Sequence, residues 1–150
     1  MIRMMAVLLF TAALAQAAEP IAGKWHLDRQ EVNGKTTNSE PLVLQVTPAG
    51  DQFAFAFSLP VNSIYFVSMS YTVRFDGSEA DVKNSQGEKI GTIKMTRAGA
   101  SQYKLTIRGP NRPLSNGTLT VSADGKTLTS ESDSAGASHP AHVQQSFSRY

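Results

Sequence analysis

Apolar and polar side chains alternate along most of the chain after Pro20, which is the pattern of β-strands with one buried face. The longer alternating sets are Leu42, Leu44 and Val46; Phe53, Phe55, Phe57 and Leu59; Met69, Tyr71, Val73 and Phe75; and Tyr103, Leu105 and Ile107. Shorter sets are Ile93 with Met95, Leu119 with Val121, and Val143 with Phe147. With a first strand near residue 25, the pattern predicts about eight short strands and little helix.

Turn-forming residues separate these runs at short intervals. Glycine, asparagine and aspartate supply the positive φ angles of tight hairpins, and their spacing predicts an antiparallel meander. The turn at Asn116-Gly117 is followed by Thr118 and so matches the N-glycosylation pattern, but a hairpin turn is the simpler interpretation. The other predicted turns are Asn33-Gly34, Pro48 to Asp51, Asp76-Gly77, Gln86-Gly87, Ala98-Gly99, Gly109-Pro110, Asp124-Gly125 and Ala135-Gly136.

Two all-β architectures fit this meander. An antiparallel up-and-down β-barrel removes the two exposed edges that an open sheet would leave. A β-sandwich is the alternative, because it also buries alternate residues of every strand. Periodicity therefore predicts the all-β class and does not separate barrel from sandwich.

The first 17 residues have the composition of a secretory signal peptide. Arg3 provides a positive start, an apolar run covers residues 6–14, and Ala15-Gln16-Ala17 offers small residues for cleavage. The run is shorter than the roughly 20 apolar residues of a bilayer-crossing helix. We therefore predict a signal peptide at 1–17, one domain at 18–150, no membrane span after cleavage, and an exported protein that is periplasmic or extracellular.

The composition of the chain argues against disulfide bonds and against a nucleic-acid partner. The chain has no cysteine, so this exported domain must be held by its core without disulfides. Lys and Arg number 14 against 12 Asp and Glu, and the lysines are scattered singly. Nucleic-acid binding needs basic residues clustered on one face, and no such cluster is evident. We predict no nucleic-acid partner.

Catalytic and metal-binding patterns are sparse. The three histidines are His26, His139 and His142, and no G-x-S-x-G nucleophile motif accompanies them. His139 and His142 have a metal-like spacing, but the nearest carboxylates, Glu131 and Asp133, lie in a serine-rich segment that is typical of a solvated loop. No glycine-rich phosphate loop opens a helix. We assign no catalytic residue, metal or cofactor, and an enzyme is the least favoured class.

Three segments resemble lipocalin-like proteins of the calycin superfamily, and in particular a group of small secreted bacterial barrels. The first is Gly23-Lys24-Trp25, a G-x-W motif on the first predicted strand. The second is the stretch from Val121 to Thr129, and the third is the chain end Phe147-Ser148-Arg149-Tyr150. The resemblance implies a lipocalin-like barrel from a bacterium. It also implies that Trp25 closes the narrow end of the barrel and that Arg149 packs over the indole.

The barrel interior is the predicted functional feature. An eight-stranded barrel either fills with side chains or holds one small ligand. The candidate ligand-binding residues are Phe53, Phe55, Phe57, Tyr65, Met69 and Tyr71, and all six suit an ordinary packed core as well. We therefore predict a binding protein for a small apolar ligand. The alternative is a filled barrel that binds a protein or the cell envelope through its loops; the sequence identifies no protein partner.

Overall fold

The computed structural model describes residues 18–38, 41–110, 112–135 and 141–150, where the regular structure is entirely β-strand. The strands are β1 (Gly23–Val32), β2 (Lys35–Thr37), β3 (Val43–Ala49), β4 (Gln52–Val61), β5 (Ile64–Val73), β6 (Asp76–Asn84), β7 (Lys89–Arg97), β8 (Gln102–Gly109), β9 (Arg112–Val121), β10 (Thr127–Ala135) and β11 (His142–Arg149). Within those ranges no helix is present that could cross a membrane. The predicted signal peptide lies outside the described residues.

The sheet closes on itself. Successive strands pair antiparallel, and β11 pairs with β1 from Trp25 opposite Arg149 to Val32 opposite Val143. Ten strands form the ring, because β2 is a short strand that continues the line of β3 beside the second half of β1. The prediction of an all-β up-and-down barrel is confirmed. The sandwich alternative is wrong because one closed sheet has no second layer, and the predicted strand count of eight is too low.

The missed strands are those with weak hydrophobic alternation. β2 has only three residues, β6 reads Asp-Gly-Ser-Glu-Ala-Asp-Val-Lys-Asn, and β10 carries serine on most of its inward positions. Each of these strands is held by hydrogen bonds to its neighbours, which contribute pairing that no local pattern reveals. The segment with Glu131 and Asp133 is therefore part of β10 and not the predicted loop.

One predicted turn is absent from the structure, and one turn that the structure contains was not predicted. Asn116 and Gly117 lie in the middle of β9, where a Cβ at residue 117 would come within 3.0 Å of the Glu131 carbonyl oxygen and 3.2 Å of Leu105 Cδ1. Glycine at this position permits the close approach of the neighbouring strands and does not form a turn. Conversely, Asn62 and Ser63 both have positive φ, 51° and 65°, and form the tight β4–β5 turn that the sequence analysis missed.

The two ends of the barrel differ in packing. At the end where β1 begins, a continuous core of large side chains fills the interior; its largest fully buried members are Trp25, Tyr103, Phe55 and Phe147. We call this the closed end. The hairpin turns after β1, β4, β6 and β8 lie at the opposite end, which we call the open end.

The ring is weakest between β5 and β6, where only Met69 opposite Asn84 and Ser70 opposite Lys83 are paired. An outer groove of about 650 Å³ follows this separation, and Phe55 and Tyr71 contribute to its lining. Both residues are nevertheless buried, and their stacked rings lie 4.9 Å apart between centroids. The groove therefore ends on packed aromatic rings.

A polar cluster anchors the start of the domain to the closed end. Glu19 accepts hydrogen bonds from Tyr103 and from Arg97 Nη2, the latter at 2.5 Å, and the Arg97 guanidinium also lies over the rings of Phe75 and Tyr103. Burial acts to raise the pKa of Glu19, but the hydrogen bonds from Arg97 and Tyr103 and the charge of Arg97 outweigh it and lower the pKa.

This cluster predicts an acid-labile contribution to stability. Because the pKa of Glu19 is lower in the folded than in the unfolded chain, its contribution is complete above the unfolded value of about 4.5 and is lost as the pH falls through the folded value. We expect the free energy of unfolding of Glu19→Gln to fall less steeply than that of the wild type below about pH 4.5. Urea titrations at several pH values below about 5 measure the free energy of unfolding of both proteins. An equal fall with pH in the variant and the wild type would contradict the role of Glu19.

Candidate functional site

The closed end is sealed by contacts between Trp25 and Arg149. The Arg149 guanidinium carbon lies 4.1 Å from the centre of the Trp25 ring, and the indole Nε1 donates to the Ile21 carbonyl at 3.0 Å. Arg149 also donates from Nε, Nη1 and Nη2 to the carbonyl oxygens of Gly125, Ala22 and Pro20, each at 2.7 Å. One side chain therefore connects the last strand to the residues before β1 and to the β9–β10 turn.

The glycine of the G-x-W motif has a role in this arrangement. Gly23 has a φ of 140°, and a Cβ at this position would lie 2.3 Å from Arg149 Nη1. Only glycine accommodates both the backbone conformation and the guanidinium beside it. In this motif Gly23 therefore leaves room for the Arg149 guanidinium, and Trp25 provides the aromatic ring against which the guanidinium packs.

Towards the open end, inward side chains of two neighbouring strands become partly exposed, and we call the interior there the cup. On β10 the inward Leu128 is fully buried, and the next inward residue, Ser130, is partly exposed. On β11 the inward Phe147 is buried, and the next inward residue, Gln145, is partly exposed. The exposure is confined to part of the circumference, because Val82, inward on β6 near the open end, is only 2% exposed.

One wall of the cup is polar. It is formed by the neighbouring strands β1, β10 and β11, with Gln30, Ser130, Ser132 and Gln145 on their inward positions. Gln145 Nε2 donates to Gln30 Oε1 at 2.8 Å, and Gln30 Nε2 donates to Thr37 Oγ1 at 3.2 Å. The wall carries amides and hydroxyls that both donate and accept hydrogen bonds and have no charge at neutral pH.

Other parts of the circumference are apolar. Phe57 and Met69 face inward from β4 and β5, opposite each other in register, and Leu105 and Ile107 face inward from β8. All four pack against the core of the closed end while remaining partly exposed. The cup thus presents apolar surface beside one neutral polar wall.

The structure distributes the six predicted ligand-binding residues over four environments. Phe55 and Tyr71 lie in the packed core, 1% and 5% exposed, and burial raises the pKa of Tyr71. Phe53 is stacked on Phe75 near the closed end, with 4.7 Å between ring centroids. Tyr65 is exposed at the β4–β5 hairpin. Of the predicted residues, Phe57 and Met69 face the cup.

The histidines that lie in the described ranges form pairs with carboxylates on the outer surface. His142 Nδ1 lies 2.7 Å from Asp133 Oδ1, which raises the pKa of His142, and His26 Nδ1 lies 3.0 Å from Asp28 Oδ1. Across those ranges, no three histidine, cysteine or carboxylate side chains are placed to hold one metal ion. His139 lies outside the described residues.

The polar wall was missed because its signal is weak in the sequence. Ser130 and Ser132 belong to a serine-rich segment that resembles a loop, and glutamine is as common on surfaces as in clefts. The alternation of Gln145 with the apolar Val143 and Phe147 is the one signal that could have indicated an inward position. The pairing of Gln145 with Gln30 joins residues 115 positions apart, which only the closed ring brings together.

Comparisons with known proteins agree with the architecture. No protein-family model matches the chain, and no curated protein matches it significantly. The crystal structure of zebrafish ileal bile acid-binding protein complexed with cholic acid aligns over 87% of this chain and 99% of that one, with 20% sequence identity and a TM-score of 0.60. A structure of EF1p2_mFAP2b bound to DFHBI aligns over 89% and 97% with 12% identity, but its TM-score of 0.49 is too low to bear on the fold. The first likeness supports the predicted fold, a closed antiparallel β-barrel.

Proposed function

We propose that this calycin-type barrel is an exported binding protein that holds a small, largely apolar ligand in its cup. The supporting observation is the abrupt change from packed to accessible interior between Leu128 and Ser130. A barrel selected only for stability gains from filling its interior with apolar side chains. Small serines at inward positions forgo that gain and leave space instead.

The walls define the ligand chemistry. Phe57, Met69, Leu105 and Ile107 supply apolar contact, while the Gln30–Gln145 pair and the serines supply neutral hydrogen-bonding groups. Pockets of this composition bind apolar molecules and orient them by a few polar contacts. The charged residues adjacent on the same strands, Glu131 and Asp133, occupy outward positions by the alternation of β10. We therefore propose a ligand with an apolar body and an uncharged hydrogen-bonding group.

Filling the cup tests this proposal. Ser132→Phe places a large side chain on an inward position opposite Val143, and we expect it to weaken binding of the neutral apolar dye Nile red by at least about tenfold, since the two compete for one volume. Fluorescence titration measures this affinity. The matched control is Glu131→Phe, which adds the same side chain on the adjacent outward position. Equal affinity in the two variants would contradict binding in the cup.

Native mass spectrometry of protein purified gently from an exporting host tests carriage directly. We expect a stoichiometric adduct whose released molecule is apolar and uncharged, and whose occupancy falls in Ser132→Phe. A clean apo mass that persists after soaking with a panel of lipids and aromatic compounds would contradict the proposal and favour a barrel that works through its loops.

A further inference from the structure

The hairpin at the end of β4 and the start of β5 exposes an unusual amount of apolar surface. We call residues 59–67 the apolar hairpin. Its exposed side chains are large, and their exposed fractions are high: Val61 55%, Ile64 61%, Tyr65 49%, Phe66 55% and Val67 44%. These are five of the six large apolar residues that the described ranges expose; the sixth, Tyr150, lies beside His26 on the outer surface, at a depression that Tyr65 also lines. Such a concentration marks an interaction surface.

The hairpin extends beyond the strands beside it. The pairing of β4 with β3 ends at Ser58 opposite Val43, and the pairing of β5 with β6 starts only at Met69. Within 59–67 the two strands therefore pair with each other and with no other described strand. The tip lies at the open end, where the turns of β1–β2 and β6–β7 also lie. Tyr65 borders a depression on the outer wall that Leu42 and Val43 also line.

Both faces of the hairpin are apolar. Residues opposite each other in an antiparallel pair share a face, so Phe66 lies with Leu59 and Ile64 with Val61 on one face, while Tyr65 and Val67 lie on the other. A protein groove would cover one face of such a ribbon and leave the other in water. A lipid layer surrounds a projecting tip and covers both faces at once.

Charge supports the same occupant. From Gln52 to Val73 the chain has no Asp, Glu, Lys, Arg or His, so the whole hairpin can enter an apolar layer without burying a side chain that is charged at neutral pH. The strand edges left unpaired at 59–61 and 64–68 carry backbone groups that need water or headgroups, which limits insertion to the interfacial region. Tyr65 and Phe66 are the residue types that favour this region.

We infer that the apolar hairpin docks the barrel on a lipid surface with its mouth facing the membrane. This inference goes beyond the proposed ligand binding and does not depend on it, because an empty barrel would dock equally well. Docking would place the cup beside a layer of apolar molecules.

The test uses tryptophan as a local reporter, since the single native Trp25 is fully buried at the closed end. Phe66→Trp places a new indole on the hairpin, and Ala100→Trp places one in the exposed β7–β8 turn at the closed end. On addition of phosphatidylcholine vesicles we expect a blue shift of the emission of Phe66→Trp and none for Ala100→Trp. An unshifted Phe66→Trp spectrum at saturating lipid would overturn the inference.

Vesicle flotation measures the strength of docking in protein exported by its host, with the N-terminus identified by mass spectrometry. We expect Ile64→Ser/Phe66→Ser to lower the partition coefficient by at least about tenfold. The double variant Ala98→Ser/Ala100→Ser, in the exposed β7–β8 turn at the closed end, should leave it unchanged. All these side chains are exposed, so unchanged near-ultraviolet circular dichroism should confirm the fold of each variant.

Two other results would overturn lipid docking. The first is binding that requires anionic phosphatidylglycerol in the vesicles and is equally strong in Ile64→Ser/Phe66→Ser. That result would assign the binding to surface lysines. The second is a dimer in size-exclusion chromatography that Ile64→Ser/Phe66→Ser dissociates, with no vesicle binding, which would make the hairpin a contact between two copies of the chain.

Discussion

Replacing Phe55 with alanine should lower the free energy of unfolding by about 3–5 kcal/mol and the melting temperature by roughly 10–20 °C. Phe55 is 1% exposed and stacks on Tyr71, so its removal leaves a cavity within the core of the closed end. Thermal unfolding followed by circular dichroism, together with urea titration, measures the loss.

Phe57→Ala is the matched control, because Phe57 faces inward from the same strand two residues further towards the open end. This side chain is only partly buried, so the loss of stability should be clearly smaller, about 1–2 kcal/mol. The effect on Nile red affinity should have the reverse order, with Phe57→Ala weakening binding more. Equal loss of stability in the two variants would mean that the boundary between core and cup does not lie between these residues.

Arg149→Ala should cost about 3–4 kcal/mol and lower the melting temperature by roughly 10 °C. The substitution removes three charge-assisted hydrogen bonds to backbone carbonyls and the contact with the Trp25 ring, which by itself contributes roughly 0.5–2 kcal/mol. Arg149→Lys keeps the charge without the planar fork and should recover about half of the loss. An unchanged transition in Arg149→Ala would remove this residue from the closure of the barrel.

A double-mutant cycle with Gly23 separates closure from general packing. In Gly23→Ala the new methyl group collides with Arg149 Nη1, and the backbone is also strained. Once Arg149 is alanine, the collision is gone and only the strain remains. The double variant should therefore be more stable than the sum of the two single losses implies, whereas simple additivity would show that Gly23 and Arg149 are not coupled.

In the candidate ligand site, alternation along a strand predicts which face a residue occupies but not how deeply it is buried. It placed Phe53, Phe55 and Phe57 on one face of β4, and the structure confirms that they share a face. Alternation cannot tell how deep each of them lies, because depth depends on what the neighbouring strands contribute at the same level. Phe55 meets Tyr71 and is buried, whereas Phe57 lies at the edge of the cup.

In the apolar hairpin, hydrophobic residues that a sequence pattern would place in the core are exposed. Ile64, Tyr65, Phe66 and Val67 form a run that suggests a buried strand, yet all four side chains are exposed. Burial requires a partner surface, and β3 and β6 do not pair with β4 and β5 at this level. Hydrophobicity was visible in the sequence, whereas exposure was not.

The all-β class, the antiparallel meander and the closing role expected for Trp25 and Arg149 could be predicted from the amino-acid sequence alone. These predictions depend on the two-residue period of strands, on turn chemistry and on short segments, all of which are local. The closure of ten strands into a ring, the contact of Gln30 with Gln145, and the partial exposure of inward residues towards one end are evident only from the folded chain. Those features arise from the closure of β11 on β1, which joins the two ends of the domain through contacts that no local pattern encodes.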